Sequence, residues 1–149
     1  MRHDVRKIYG QYQVSTLSPE EAVVKLHEKI LERIDKVIKL NKEIKAFPAK
    51  RLLENKGVEE FNELLDEKNK HVDLIIDSID AIKGLISDDT PKELKNQIFR
   101  TYDFIKLKFL KAILEEKSKD FKDVKAAIET LLDGWRKVLN DSTSSPRKF

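Results

Sequence analysis

The sequence predicts an all-α protein, an antiparallel four-helix bundle preceded by a short N-terminal helix or cap segment. Three observations carry this. Of 149 residues, 38% are charged, against about 25% in typical domains, while glycine and proline number only four each, a composition suited to long amphipathic helices. Apolar residues recur at steps of three and four through four separate segments. Proline stands at two segment starts, where its fixed φ suits the first helical turn.

The first boundary is Ser18-Pro19-Glu20-Glu21. Ser18 is placed to accept from the N–H of Glu21, Glu21 to reach back to that of Ser18, and Pro19 to open the helix. Glu20 and Glu21 complement the positive helix end. Residues 1–17 stand apart as a cap segment, with a short helix over about Asp4 to Gln11. Such a helix is too short to persist alone in water and needs to dock.

Helix α1 is expected over 19–46, with Val23, Leu26, Ile30, Ile34, Val37, Ile38 and Ile44 on its buried stripe. Pro48 stops it. Residues 46–57 form a connection with a turn of helix at Lys50 to Glu54, punctuated by Gly57. Helix α2 follows over about 58–86, its stripe running from Phe61 through Val72, Ile75, Ile79 and Ile82 to Ile86. The turn Ser87 to Pro91 repeats the capped start, with Thr90 as N-cap, Pro91 at the first helical position and Glu93 two residues further on. Helix α3 spans about 91–117, with Leu94, Ile98, Tyr102, Ile105, Phe109 and Ile113 facing inward. Asp120 is read as the N-cap of α4, which covers about 121–139 and carries Phe121, Val124, Ala127, Ile128, Leu131, Trp135 and Val138. The polar, Ser-rich residues 140–149 are expected to be disordered.

Composition narrows the function. Thirty basic and 27 acidic residues interleave to a net charge of +3, whereas a nucleic-acid surface gathers its bases on one face. No nucleic-acid partner is expected. With no cysteine, thiol and disulfide chemistry are excluded. No apolar run reaches the ~18–20 residues of a membrane span, so no membrane insertion is expected. The N-terminus has charge but no apolar core of a signal peptide, which makes a cytoplasmic protein the default.

Catalysis finds no foothold. His3, His27 and His71 each lack a Glu three residues earlier, so the paired Glu-x-x-His of di-iron bundles is missing. Glu67 and His71 share a helix face and read as a solvated pair. There is no glycine-rich phosphate loop and no nucleophile elbow. No catalytic residue, metal ligand or cofactor is expected, and Trp135 reads as a core anchor.

Helix α3 offers more. Phe99, Leu107, Leu110 and Leu114 fall on a second side of it, while bundle helices normally bury one stripe. Either the connection 46–57 or the N-terminal segment covers that side, or it serves a partner. Both hold if the N-terminal segment is a displaceable cover.

At this point the residues resemble a family. Tyr9, Gln13, Val14, Thr16, Ser18, Pro19 and Glu20 are similar to the N-terminal signature of the flagellin-specific export chaperones, the FliS family. Leu26-His27-Glu28 falls where that family has Leu-Tyr-Asp or Leu-Tyr-Asn, and Tyr102-Asp103-Phe104 resembles its Tyr-Asp-Tyr motif. Ala112 and Trp135 match in place, and the resemblance covers about 8–140. It departs at His27, at Leu132 where the family often has Arg, and in the long connection from Phe47 to Gly57. The resemblance implies a cytoplasmic, non-enzymatic chaperone that binds the C-terminal segment of flagellin, prevents premature polymerisation and assists secretion. A co-chaperone or export-gate component is a further partner it allows. The expected partner-binding residues are Ile8, Tyr9, Tyr12, Gln13, Val14, Leu26, His27, Phe99, Tyr102, Leu107, Leu110 and Leu114. The alternative is a self-associating structural bundle that pairs through α3 and has no secretion role.

Overall fold

The computed structural model describes residues 17–144, and every regular element among them is helical. Helix α1 runs Pro19–Ala46, a 3-10 turn Ala49–Leu53, α2 Asn55–Leu85, α3 Lys92–Glu115 and α4 Ser118–Ser144. The expected cap residues Ile8, Tyr9, Tyr12, Gln13 and Val14 lie outside the described residues, as do 145–149.

Ion pairs and polar contacts record the register. Along α1 and α4, Glu28 meets Arg136 at 3.1 Å and Asp35 meets Lys125 at 3.0 Å, and Lys45 near the end of α1 meets Glu116, two residues before α4, at 3.6 Å. One chain number rises as the other falls, so the two helices are antiparallel. Asp80 with Lys106 fixes α2 against α3, and Lys108 with Asp123 fixes α3 against α4. Arg33 with His71 and Phe47 with Phe61 do so for α1 and α2. Most of these pairs are solvated and contribute little stability, typically about 0–1 kcal/mol each. Cohesion comes from the sealed stripe of Val23, Ile30, Ile34, Ile75, Ile79, Ile82, Phe109 and Ile128, each without accessible surface. Helix α1 packs chiefly on α2 and α4.

At the start of α1 one half of the expected capping box is formed: Ser18 Oγ accepts from the N–H of Glu21 at 3.1 Å, with Pro19 opening the helix, while the Glu21 side chain makes no bond back to the Ser18 N–H. Other boundaries correct the sequence reading. Helix α2 begins at Asn55, and Gly57, expected as a break, lies inside its first turn. Its Cα backs onto the 3-10 turn so closely that a Cβ would stand 1.8 Å from the Arg51 carbonyl oxygen. Close backbone approach, not helix breaking, explains that glycine. Helix α3 starts one residue later than expected: Pro91 itself holds the cap position, and no side chain caps it. Thr90 instead gives its N–H to the Ser87 carbonyl within the turn. Helix α4 starts at Ser118, which puts Asp120 in its first turn rather than ahead of it. There its carboxylate faces the positive helix end. Residues 140–144, expected as disordered tail, continue α4.

The stripes also need adjustment. Leu94 and Val138, expected inside, are 48% and 38% exposed, because they sit where the ends of α3 and α4 diverge. Leu132 fills a core position instead, one turn beyond Ile128. His71 is not a solvated residue: it is buried, and its Nδ1 accepts from Arg33 at 3.2 Å, while Glu67 stands 3.9 Å from Nε2.

Candidate partner-binding surface

The centre of the bundle holds a polar chain that joins three helices. On α1, His27 lies within the apolar stripe and has no accessible surface. Its Nδ1 is 2.7 Å from the Val23 carbonyl oxygen. A carbonyl only accepts, so Nδ1 carries the proton and Nε2 is left as an acceptor. Tyr102 of α3, also sealed, donates its hydroxyl to that Nε2 at 2.8 Å. The same oxygen accepts from Trp135 Nε1 of α4 at 2.7 Å. The run Trp135 to Tyr102 to His27 to Val23 thus satisfies every polar atom it passes, as a buried network must.

Burial sets the charge states. Desolvation is the larger effect on His27 and outweighs the favourable Val23 contact, lowering its pKa from 6.5 to about 4. Desolvation likewise pushes the Tyr102 phenol well above its usual value, although the Trp135 bond opposes it. Both side chains are therefore neutral at pH 7, as the hydrogen-bond directions require.

Beside this chain, α3 and α4 part to leave a cavity of about 430 Å³. Leu94, Ile98, Leu131 and Val138 give it apolar walls, Thr101, Thr130 and Gln97 line it with polar groups, and Tyr102 and Trp135 reach it from the core. Gly134 lies on the same wall, and a Cβ there would meet nothing within 4 Å. The Trp135 indole therefore closes the bundle and contributes to an open recess at once.

Further along α3, the second apolar side stays largely bare among the described residues. Leu107 is 66% and Leu114 83% exposed, and Phe104, which sequence reasoning did not place in the site, is 65% exposed. Phe99 and Leu110 are half-buried. Lys83 of α2 and Lys95 of α3 itself lie over the Phe99 ring at 5.3 and 5.7 Å, so their aliphatic stems shield it. The connection 46–57 does not cover this side. It closes the other end of α1 and α2, where Phe47 packs on Phe61 with ring centroids 5.2 Å apart and Leu53 is 87% exposed.

The expected site residues therefore separate into two groups. Leu26, His27 and Tyr102 are interior and touch one another's surroundings, not solvent. Leu107 and Leu114 are open, with Phe99 and Leu110 at their edge. The cavity was missed entirely. The sequence carries no signal for it: Leu94 and Val138 keep the period of their stripes, and only the divergence of the two helix ends exposes them.

Among the described residues, no group of three or more His, Asp or Glu side chains is placed to hold a metal ion, and no helix is long and apolar enough to cross a membrane. Fold and surface define a helical bundle with a satisfied polar centre and apolar recesses open on one side. A family model described as flagellar protein FliS matches residues 1–142. The chain belongs to the FliS family, the flagellar export chaperones that its motifs resemble. No curated protein and no solved structure matches it.

Proposed function

We propose that this family member works in the cytosol and takes the C-terminal segment of flagellin as its client. It keeps the subunit from polymerising early and hands it to the export machinery. The observation that carries the reading is the bare row of Phe104, Leu107 and Leu114 on α3, close to the cavity between α3 and α4. Large apolar residues exposed along one helix face mark a surface meant for a partner. A disordered client can fold on it, laying apolar residues into the row and the recess and offsetting its ordering cost by the area it wraps.

In this reading Phe99, Leu107, Leu110 and Leu114 contact the client directly. Leu26, His27 and Tyr102 act from the interior, by holding α1, α3 and α4 in the positions that shape the recess. Ile8, Tyr9, Tyr12, Gln13 and Val14 serve as the cover that the client displaces, and any co-chaperone or export component docks elsewhere on the bundle.

Calorimetric titration of the full chain with a flagellin C-terminal peptide tests this. Wild-type protein is expected to bind. Leu107→Asp with Leu114→Asp places two carboxylates in the apolar row without touching the core, and it is expected to weaken binding at least about tenfold. Unchanged affinity in a variant that melts like the wild type would remove α3 from the client path.

A further inference from the structure

The exposed side of α3 has a charge pattern as well as an apolar one. Arg100, Phe104, Leu107, Lys111 and Leu114 follow each other at steps of four, three, four and three. That is the seam spacing by which one helix receives another. Acids near this seam are already matched: Asp103 by Lys83, Asp80 by Lys106 and Asp123 by Lys108. Arg100 and Lys111, both exposed, form no ion pair among the described residues. Glu93, a heptad before Arg100, lies in the first turn of α3, where it complements the helix dipole. The seam thus presents three apolar side chains interleaved with two uncompensated cations.

A second copy of this chain fits the seam poorly. Phe104, Leu107 and Leu114 expose on the order of 400 Å² to any occupant, so charge decides between occupants. Pairing two copies would gather four cations in one interface. A helix with acids beside its apolar residues meets both features.

We propose that the outer face of α3 receives an acidic amphipathic helix, with apolar residues at the same alternating spacing and Asp or Glu set against Arg100 and Lys111. This rests on the function proposed above for the identity of the helix, a part of the flagellin segment, and adds the chemistry by which it is selected. Charges at the rim of such a seam give specificity, orientation and a salt-dependent rate more than bulk affinity.

Two probes test it on the full chain: the flagellin C-terminal peptide, and a synthetic amphipathic helix made in a glutamate-flanked and a lysine-flanked version. Arg100→Glu with Lys111→Glu, whose side chains are solvated and leave the core untouched, is expected to weaken the flagellin peptide about tenfold. Raising salt to about 0.5 M should weaken wild-type binding similarly. The glutamate-flanked helix should bind wild type more tightly than the lysine-flanked one, with that order reversed in the variant. Should the flagellin peptide bind with no response to salt or charge reversal, the acidic-helix proposal is overturned and the client assignment stands. Should it not bind at all, the client assignment falls. The synthetic pair then decides the chemistry of the seam: a preference for glutamate upholds it, and equal or absent binding overturns it.

Discussion

Replacing Tyr102 by phenylalanine is expected to destabilise the bundle by about 2–3 kcal/mol, although it removes one oxygen atom and keeps the ring. The hydroxyl donates to His27 Nε2 and accepts from Trp135 Nε1. Its loss leaves the sealed imidazole acceptor unmatched, and an unmatched buried polar group costs more than a net hydrogen bond contributes. Trp135 is half-exposed, so solvent can recover part of its share. Chemical denaturation should show a lower midpoint at unchanged slope, since the surface exposed on unfolding is the same. A double-mutant cycle with His27→Leu separates the network from simple packing. The double variant should lose clearly less than the sum of the single ones, because it removes both ends of the His27–Tyr102 bond together. Additive losses would show that the two side chains contribute independently.

The second large effect is expected from acid. In the unfolded chain His27 titrates near 6.5, whereas burial lowers it to about 4 in the folded state. Above pH 6.5 the residue is neutral in both states and its contribution is complete. As pH falls from 6.5 toward 4, the unfolded chain takes up a proton that the folded one refuses, so stability declines with pH. The full difference corresponds to roughly 3 kcal/mol, and below about pH 4 the loss levels off. His71 shifts in the same direction, through desolvation and then the nearby Arg33 and Lys36 charges, and adds to the decline. Denaturant unfolding at a series of pH values between about 7.5 and 4.5 should show this slope. In His27→Gln, which keeps an acceptor within reach of Tyr102 but does not titrate, most of the slope should vanish. An unchanged slope would assign the acid sensitivity to other groups.

The legibility of this protein follows the range of the interactions involved. Helix α1 was readable end to end because Ser18, Pro19, Glu21 and Pro48 act within a few residues of their own positions. The stripes were readable because a period of three to four is a local property of one helix. Gly57 misled for a physical reason. Its role depends on how closely the Arg51 carbonyl folds back, which no local pattern reveals. Pro91 misled for a similar one, since proline fits both the first helical position and, with ψ at 135°, the position before it.

The site was legible in outline only. The second side of α3 could be counted from helical geometry, and Leu107 and Leu114 are indeed open. Periodicity places Leu26 and Tyr102 on buried stripes, and the family resemblance counts them with His27 among the partner-binding residues; all three are interior, whereas Phe104 of the same Tyr102-Asp103-Phe104 motif is open. His27 and Tyr102 are 75 residues apart, and the bond between them required the diagonal contact of α1 with α3. The departure at His27 acquires a physical meaning from it: an imidazole neutral at pH 7 can accept from Tyr102 while giving its other nitrogen to Val23. The cavity depends on where α3 and α4 diverge, a tertiary property with no local trace, since Leu94 and Val138 keep the period of their stripes.

The most direct test of where a client sits is hydrogen exchange of the full chain with and without a flagellin C-terminal peptide, read peptide by peptide. Protection is expected in the outer turns of α3 from Phe99 to Leu114 and in α4 around Thr130 to Val138, with little change over the middle of α2. Protection confined to α1 and α2, or none on α3 at saturating peptide, would contradict the placement of the client on this side of the bundle.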